Sequence, residues 1–151
     1  MKIIKHIWAI IKLFYIHIAY FLVGLDQETF YVARANYFTD LGWFRYAIGN
    51  YKKALKESTD PLVKAALGYC YLMVGDYEKS VKYYREAYQK SKDPVISFGL
   101  AYAELNKGNI EEVKKVLQIL SEQANELKPY HINELNKLEQ AIEKRSEAGI
   151  G

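Results

Sequence analysis

The sequence predicts an all-α fold, namely an α-solenoid of three helix-turn-helix repeats that follows an apolar N-terminal helix and ends in a C-terminal capping helix. Three observations carry this prediction. The chain matches itself at an offset of 33 residues, one glycine recurs at the same place in each unit, and two proline residues, Pro61 and Pro94, each follow an aspartate. A period of this length is typical of stacked helical repeats, because one such unit cannot bury its apolar face alone.

The aligned units share a pattern of small and large residues. The small positions are Ala35, Gly68 and Ala101, and the large positions are Tyr51, Tyr84 and Leu117. A small residue lets the two helices of a unit approach closely, and the large residue fills the space beside it. Because the equivalents of Gly68 are both alanine, we expect alanine to be tolerated there, whereas leucine should overpack the hairpin.

Turn chemistry predicts where the helices begin and end. The turns within the three units are Leu41-Gly42-Trp43, Val74-Gly75-Asp76 and Lys107-Gly108-Asn109. Glycine supplies the left-handed backbone that ends a helix, and Asp or Asn can cap the next one. An Asp-Pro pair marks a helix start, because proline is well tolerated at the first helical position. We therefore expect helices at 28–41, 44–58, 61–74, 77–91, 94–107 and 110–126, and a seventh from Pro129 to about Lys144.

The middle unit resembles the tetratricopeptide repeat (TPR). The residues that carry this resemblance are Leu67-Gly68-x-x-Tyr71, Gly75-x-Tyr77 and Ser80-x-x-x-Tyr84-x-x-Ala87. The first and third units depart from the pattern at Arg34 and Glu104, and the period is one residue short of the usual 34. The resemblance implies TPR-like repeats at 28–60, 61–93 and 94–126, with an N-terminal helix in 1–25 and a capping helix in 129–146.

The resemblance also implies a binding groove, since the first helices of such repeats line a concave face. The residues that it places in a peptide groove are Asn36, Asp40, Tyr69, Leu72, Met73, Phe98, Tyr102 and Asn106. This mostly apolar surface predicts a protein partner that presents a hydrophobic helix or an extended apolar peptide. The carboxylate clamp of chaperone adaptors is not expected, because its positions hold no charged donor here. Those positions are Val32, Asn36, Ala66, Val95 and Gly99.

The N-terminal helix leaves three alternatives open. The stretch from Ile7 to Leu25 would span roughly 29 Å, about one bilayer core. However, lysine and histidine fall on one side of a helical wheel, so the helix could instead lie in the membrane interface or pack on protein. The residues that we assign to a membrane or a partner helix are Ile7, Trp8, Ile11, Phe14, Ile18, Phe21 and Leu22.

No catalytic chemistry is visible in the sequence. It contains no Gly-rich phosphate loop, no Cys/His metal spacing and no nucleophile beside a base. We therefore expect no enzyme activity, no cofactor and no catalytic or metal site. The net charge of +3 resides in residues 1–25, and the balanced remainder argues against nucleic-acid binding. Cys70 is expected to be a small core residue and His131 a surface residue.

The functional prediction is a membrane-associated adaptor or scaffold that assembles a protein complex, with a single N-terminal anchor in residues 3–25. The motivation is the combination of a repeat with an apolar helix. The alternative is a soluble, self-associating repeat protein, a homo-oligomer in which the N-terminal helix packs in a neighbouring groove.

Overall fold

The repeats form successive helical hairpins. A computed structural model describes residues 2–123 and 127–147 of the 151-residue chain. Helices α2/α3, α4/α5 and α6/α7 pack as three pairs, each pair contacts the next, and α8 packs on α6 and α7. The helices in the described residues are α1 (Lys2–Val23), α2 (Gln27–Asp40), α3 (Phe44–Ala54), α4 (Pro61–Met73), α5 (Tyr77–Lys90), α6 (Pro94–Lys107), α7 (Ile110–Glu122) and α8 (Pro129–Glu147). The predicted all-α repeat architecture is therefore confirmed.

The predicted turn chemistry positions the hairpins. Gly42, Gly75 and Gly108 all have positive φ angles, of 74°, 80° and 91°, which side chains with a Cβ rarely adopt. Asp60 and Asp93 each accept a hydrogen bond from a backbone N–H two residues later, at 2.8 Å in both cases. These caps begin α4 and α6 at their proline residues, so the same local device recurs once in each of these repeats.

The two largest differences from the predicted helix ends are at α3 and α7. Helix α3 ends at Ala54 rather than near residue 58, and the Ser58 hydroxyl instead accepts a hydrogen bond from the backbone N–H of Asp60 at 3.1 Å. Since Pro61 disfavours helical backbone in the residue before it, the chain needs an extended connection here. Helix α7 ends at Glu122, and the remainder of its predicted span includes 124–126, which lies outside the described residues.

The core follows the small-and-large pattern of the repeat. Ala35 and Ala101 have no exposed surface, and the large residues at the paired positions are all buried. One buried cluster joins α2 to α4, and a second runs from α4 and α5 to α8. Cys70 lies fully inside the first cluster, as predicted, and burial raises the pKa of its thiol. The cysteine is therefore a packing residue.

Candidate binding surfaces

The first helices of the repeats form one candidate surface, which we call the concave face and define by the outward residues of α2, α4 and α6. Helix α4 contacts α6, and α6 contacts α8, so these helices lie side by side. Of the sequence-predicted groove residues, five are exposed: Asn36, Asp40, Tyr69, Met73 and Asn106. Leu72 and Tyr102 are partly buried. Seven of the eight residues thus retain accessible surface on these helices.

Phe98 is the exception. Its side chain is buried, and its ring stacks on that of His131 from α8, with centroids 5.6 Å apart. The expectation that Phe98 lines an open groove is corrected by this contact, because α8 occupies the space in front of it. The reason could not be read from the repeat period, since α8 lies outside the periodic part of the chain.

Helix α8 also closes other parts of the third repeat. The Tyr102 hydroxyl donates a hydrogen bond to Glu134 at 2.6 Å, and Arg145 donates one to the carbonyl oxygen of Leu105. Burial, together with the bond to Glu134, raises the pKa of Tyr102 to about 12. The open part of the concave face is therefore centred on α2 and α4.

His131 contradicts the prediction of a surface residue. Its side chain is buried, and neither ring nitrogen has a hydrogen-bond partner among the described residues. The ring contacts the ring of Phe98, with centroids 5.6 Å apart, and the ring of Tyr130, with centroids 3.9 Å apart. The sequence contained no signal for this burial, because Phe98 lies in another helix, far from His131 along the chain.

The open end of the concave face mixes apolar and polar groups. Leu62, Tyr69 and Met73 expose apolar surface on α4, and Val95 does so at the start of α6. The ring of Tyr69 packs edge-on against Phe44, with centroids 5.9 Å apart, which orients the exposed tyrosine. On α2, the Asn36 side-chain oxygen accepts a hydrogen bond from the Tyr51 hydroxyl at 2.6 Å. The surface therefore offers apolar contact with a polar border at Asn36.

Helix α1 provides a second surface. Its inner side packs on α2: Ala9 is buried, Leu13 joins the first core cluster, and Tyr20 packs on Phe30 with ring centroids 4.3 Å apart. The Lys12 ammonium lies 4.9 Å from the centre of the Tyr37 ring. The side of α1 that carries Lys12 and His17 is thus turned toward α2. There the Lys12 ammonium makes a cation–π contact with the Tyr37 ring.

The outer side of α1 is apolar and uncovered. All seven residues that the sequence assigned to a membrane or partner helix are exposed: Ile7, Trp8, Ile11, Phe14, Ile18, Phe21 and Leu22. Large apolar patches are uncommon on the surfaces of monomeric folded proteins.

The prediction of a membrane anchor is wrong. In residues 2–123 and 127–147, no helix has both the length and the apolar character needed to cross a bilayer. The physical reason lies in the two-sided character of α1. Lys12 and His17 interrupt its apolar stretch, and His17 contacts Phe30 of α2 edge-on at a centroid distance of 5.2 Å. One side of the helix is therefore used for packing on the repeats.

The arrangement of stacked hairpins defines a TPR fold. The second TPR domain of the human RPAP3 protein, solved by NMR in complex with the HSP70 peptide SGPTIEEVD, superposes on this chain with a TM-score of 0.66. The two are 20% identical, and the match covers 75% of this chain and 95% of that domain. No model of a known protein family matches the sequence, and no curated protein matches it either. The likeness establishes the fold alone, because a fold does not determine the function that it carries.

Proposed function

We propose that this chain is a non-catalytic protein-interaction module whose concave face binds an apolar helix or an extended apolar peptide of another protein. The observation that carries the proposal is the exposed row of Leu62, Tyr69 and Met73 on α4, next to Val95 on α6. Amphipathic helices place apolar anchors on one side, and a row of this kind accommodates them. Large aromatic anchors contribute most of the binding energy at such surfaces, which makes Tyr69 the expected centre.

The chemistry of the face argues against an acidic C-terminal peptide as the ligand. The clamp positions outside Asn36 carry Val32, Ala66, Val95 and Gly99, none of which can donate a charge-assisted hydrogen bond. The Asn36 side-chain oxygen accepts a hydrogen bond from the Tyr51 hydroxyl, so this residue has only an uncharged amide group left to donate. The peptide SGPTIEEVD, which the RPAP3 domain binds, is therefore a useful negative probe.

The experiment uses the full chain and two kinds of peptide. An apolar binder is selected from a displayed library of amphipathic helical and extended peptides, and backbone NMR shifts are followed as the selected peptide is titrated. The proposal expects the shifts to concentrate on α2 and α4, with no saturable shifts from SGPTIEEVD. Saturable binding of SGPTIEEVD on these helices, or mapping of the apolar peptide to α5 and α7, would contradict the proposal.

Self-association is the second candidate function, and the uncovered apolar side of α1 favours it. A terminal unit of a solenoid needs a polar outer side. Helix α8 meets this requirement, because Asn136, Lys137, Glu139 and Gln140 are exposed on it. Helix α1 does not, because residues such as Phe14 and Phe21 are exposed instead. The N-terminal end of the solenoid is therefore expected to be covered by protein, either a neighbouring groove or another apolar helix.

A further inference from the structure

We infer that the outer side of α1 is a dimer interface, in which α1 of one copy pairs antiparallel with α1 of a second copy. This inference rests on the self-association just proposed and is independent of peptide binding at the concave face. It begins from the spacing of the exposed residues Ile7, Ile11, Phe14, Ile18 and Phe21, which alternate by four and three positions. That alternation is the spacing of a seam between two paired helices.

The seam is directed away from the repeats. Ala9 is 3% exposed and lies against the repeats, whereas Ile11 and Phe14 are 51% and 67% exposed. One side of α1 therefore packs on α2. The opposite side carries exposed apolar residues at the regular spacing that a partner helix requires. A second α1 matches this seam along its whole length, because it has the same length and the same spacing.

The exposed area is large enough for a stable pair. Phe14 and Phe21 in the seam, and Trp8 and Tyr15 beside it, are between 66% and 86% exposed. With roughly 150–250 Å² for each aromatic side chain, these four residues alone offer roughly 400–700 Å² on each copy. The isoleucine residues of the seam enlarge this area, so two copies together exceed the ~1,000 Å² that a specific interface requires.

Charge favours the antiparallel orientation. Helix α1 carries Lys2 and Lys5 in its first turns and contains no acidic residue. Asp26 and Glu28 follow its C-terminal end. A parallel pair would place both basic ends together, whereas an antiparallel pair places each basic end beside the acidic residues of the other copy and also opposes the helix dipoles.

Full overlap of two antiparallel helices spanning Lys2–Val23 fixes the register. The symmetry axis then passes between positions 12 and 13, so Ile11 of one copy faces Phe14 of the other. Ile7 likewise faces Ile18. A larger ring opposite a smaller branched side chain allows the two seams to interdigitate.

The oligomeric state of the full chain tests the interface. Sedimentation equilibrium should show a dimer, and Phe14→Glu should raise its dissociation constant at least ~10-fold, because a carboxylate would be desolvated at the centre of the seam. The matched controls Ile119→Glu on α7 and Val95→Glu on the concave face should leave the dimer intact, and circular dichroism checks that each variant keeps its helices. Dissociation caused by Val95→Glu but not by Phe14→Glu would overturn the seam in favour of α1 in a neighbouring groove.

Cross-linking tests the orientation. A mixture of the Ile7→Cys and Ile18→Cys variants should form a disulfide-linked dimer on mild oxidation, while either variant alone should not. Native Cys70 does not interfere, because its side chain is fully buried. Linking of each variant to itself would show parallel pairing and overturn the orientation. A wild-type chain that stays monomeric at every concentration would overturn the dimer interface. In that case, binding of the monomer to phosphatidylcholine vesicles would show that lipid, and not a second copy, covers the outer side of α1.

Discussion

The ring of Tyr84 fills the space that a side chain at Gly99 would need. A Cβ atom added to Gly99 would lie 2.1 Å from Cε1 of Tyr84, and one added to Gly68 would lie 2.9 Å from its Cδ2. The tyrosine of α5 is thus held between α4 and α6 by two residues that lack a Cβ. Its burial raises the pKa of the phenol, which has little contact with solvent.

This packing changes the expectation for alanine at Gly68. The repeat alignment suggested that alanine would be tolerated, but the Tyr84 ring leaves less room at Gly68 than a Cβ atom needs. We now expect Gly99→Ala to lower the free energy of unfolding by about 1–3 kcal/mol, and Gly68→Ala to lower it by less. Chemical denaturation followed by circular dichroism measures both.

Gly49 supplies the control for these variants. It lies in α3, and a Cβ added there would meet nothing within 4 Å. Gly49→Ala should therefore stabilise the chain by about 0.5–1 kcal/mol through helix propensity. If the Gly99→Ala variant had the same free energy of unfolding as the Gly49→Ala variant, the Tyr84 ring would not pack directly against Gly99.

The second prediction concerns the buried carboxyl group of Glu104, which is 1% exposed. It accepts hydrogen bonds from Arg85 Nε at 2.8 Å and from the Asn109 side chain at 2.6 Å. Arg85→Met removes the ion pair while the carboxyl group stays buried, so it should cost about 1–3 kcal/mol of stability. Replacing both residues, as Arg85→Met with Glu104→Leu, should recover much of this loss. A double variant less stable than Arg85→Met alone would contradict the interpretation.

These particular residues show how far the sequence can predict the fold. The helices and turns follow from local signals, such as Gly75 after a periodic stretch and Asp60 before Pro61, because caps and turns involve residues close together in the chain. Glu104 departs from the repeat pattern, and its partner Arg85 lies in the preceding repeat, so its burial could not be predicted. The side-chain amide of Asn109 donates a hydrogen bond to Glu104 and makes no capping hydrogen bond to α7. The sequence did not predict this either, because it did not predict the burial of Glu104.

The candidate surfaces were predictable only in part. The helical wheel identified two sides of α1, but a wheel does not say which side the repeats cover. Contacts such as that of the Lys12 ammonium on the Tyr37 ring, at 4.9 Å, depend on how α1 and α2 meet. Similarly, the period placed Phe98 on the first helix of a repeat but contained no information on α8, which covers it.

The third prediction concerns pH. The pKa of Tyr102 is raised from 10.0 to about 12, so the folded state holds this proton more tightly than the unfolded chain does. The corresponding stability is fully present below pH 10 and is lost as the pH rises from 10 toward 12. Tyr102→Phe should therefore reduce the fall in stability between pH 9 and pH 11, as measured by urea unfolding. Glu134→Gln should reduce it as well, because it removes the negative charge, and an unchanged slope in both variants would contradict the assignment.

Calorimetric titration of the selected apolar peptide tests the central proposal most directly. Tyr69 and Ile119 are both 39% exposed, but Tyr69 lies on the concave face and Ile119 lies on α7. The double variant Tyr69→Ala with Met73→Ala should weaken binding at least ~10-fold while its helicity stays the same. Ile119→Ala should bind as the wild type does. Equal affinity of the double variant and the wild type would show that the concave face is not the binding surface.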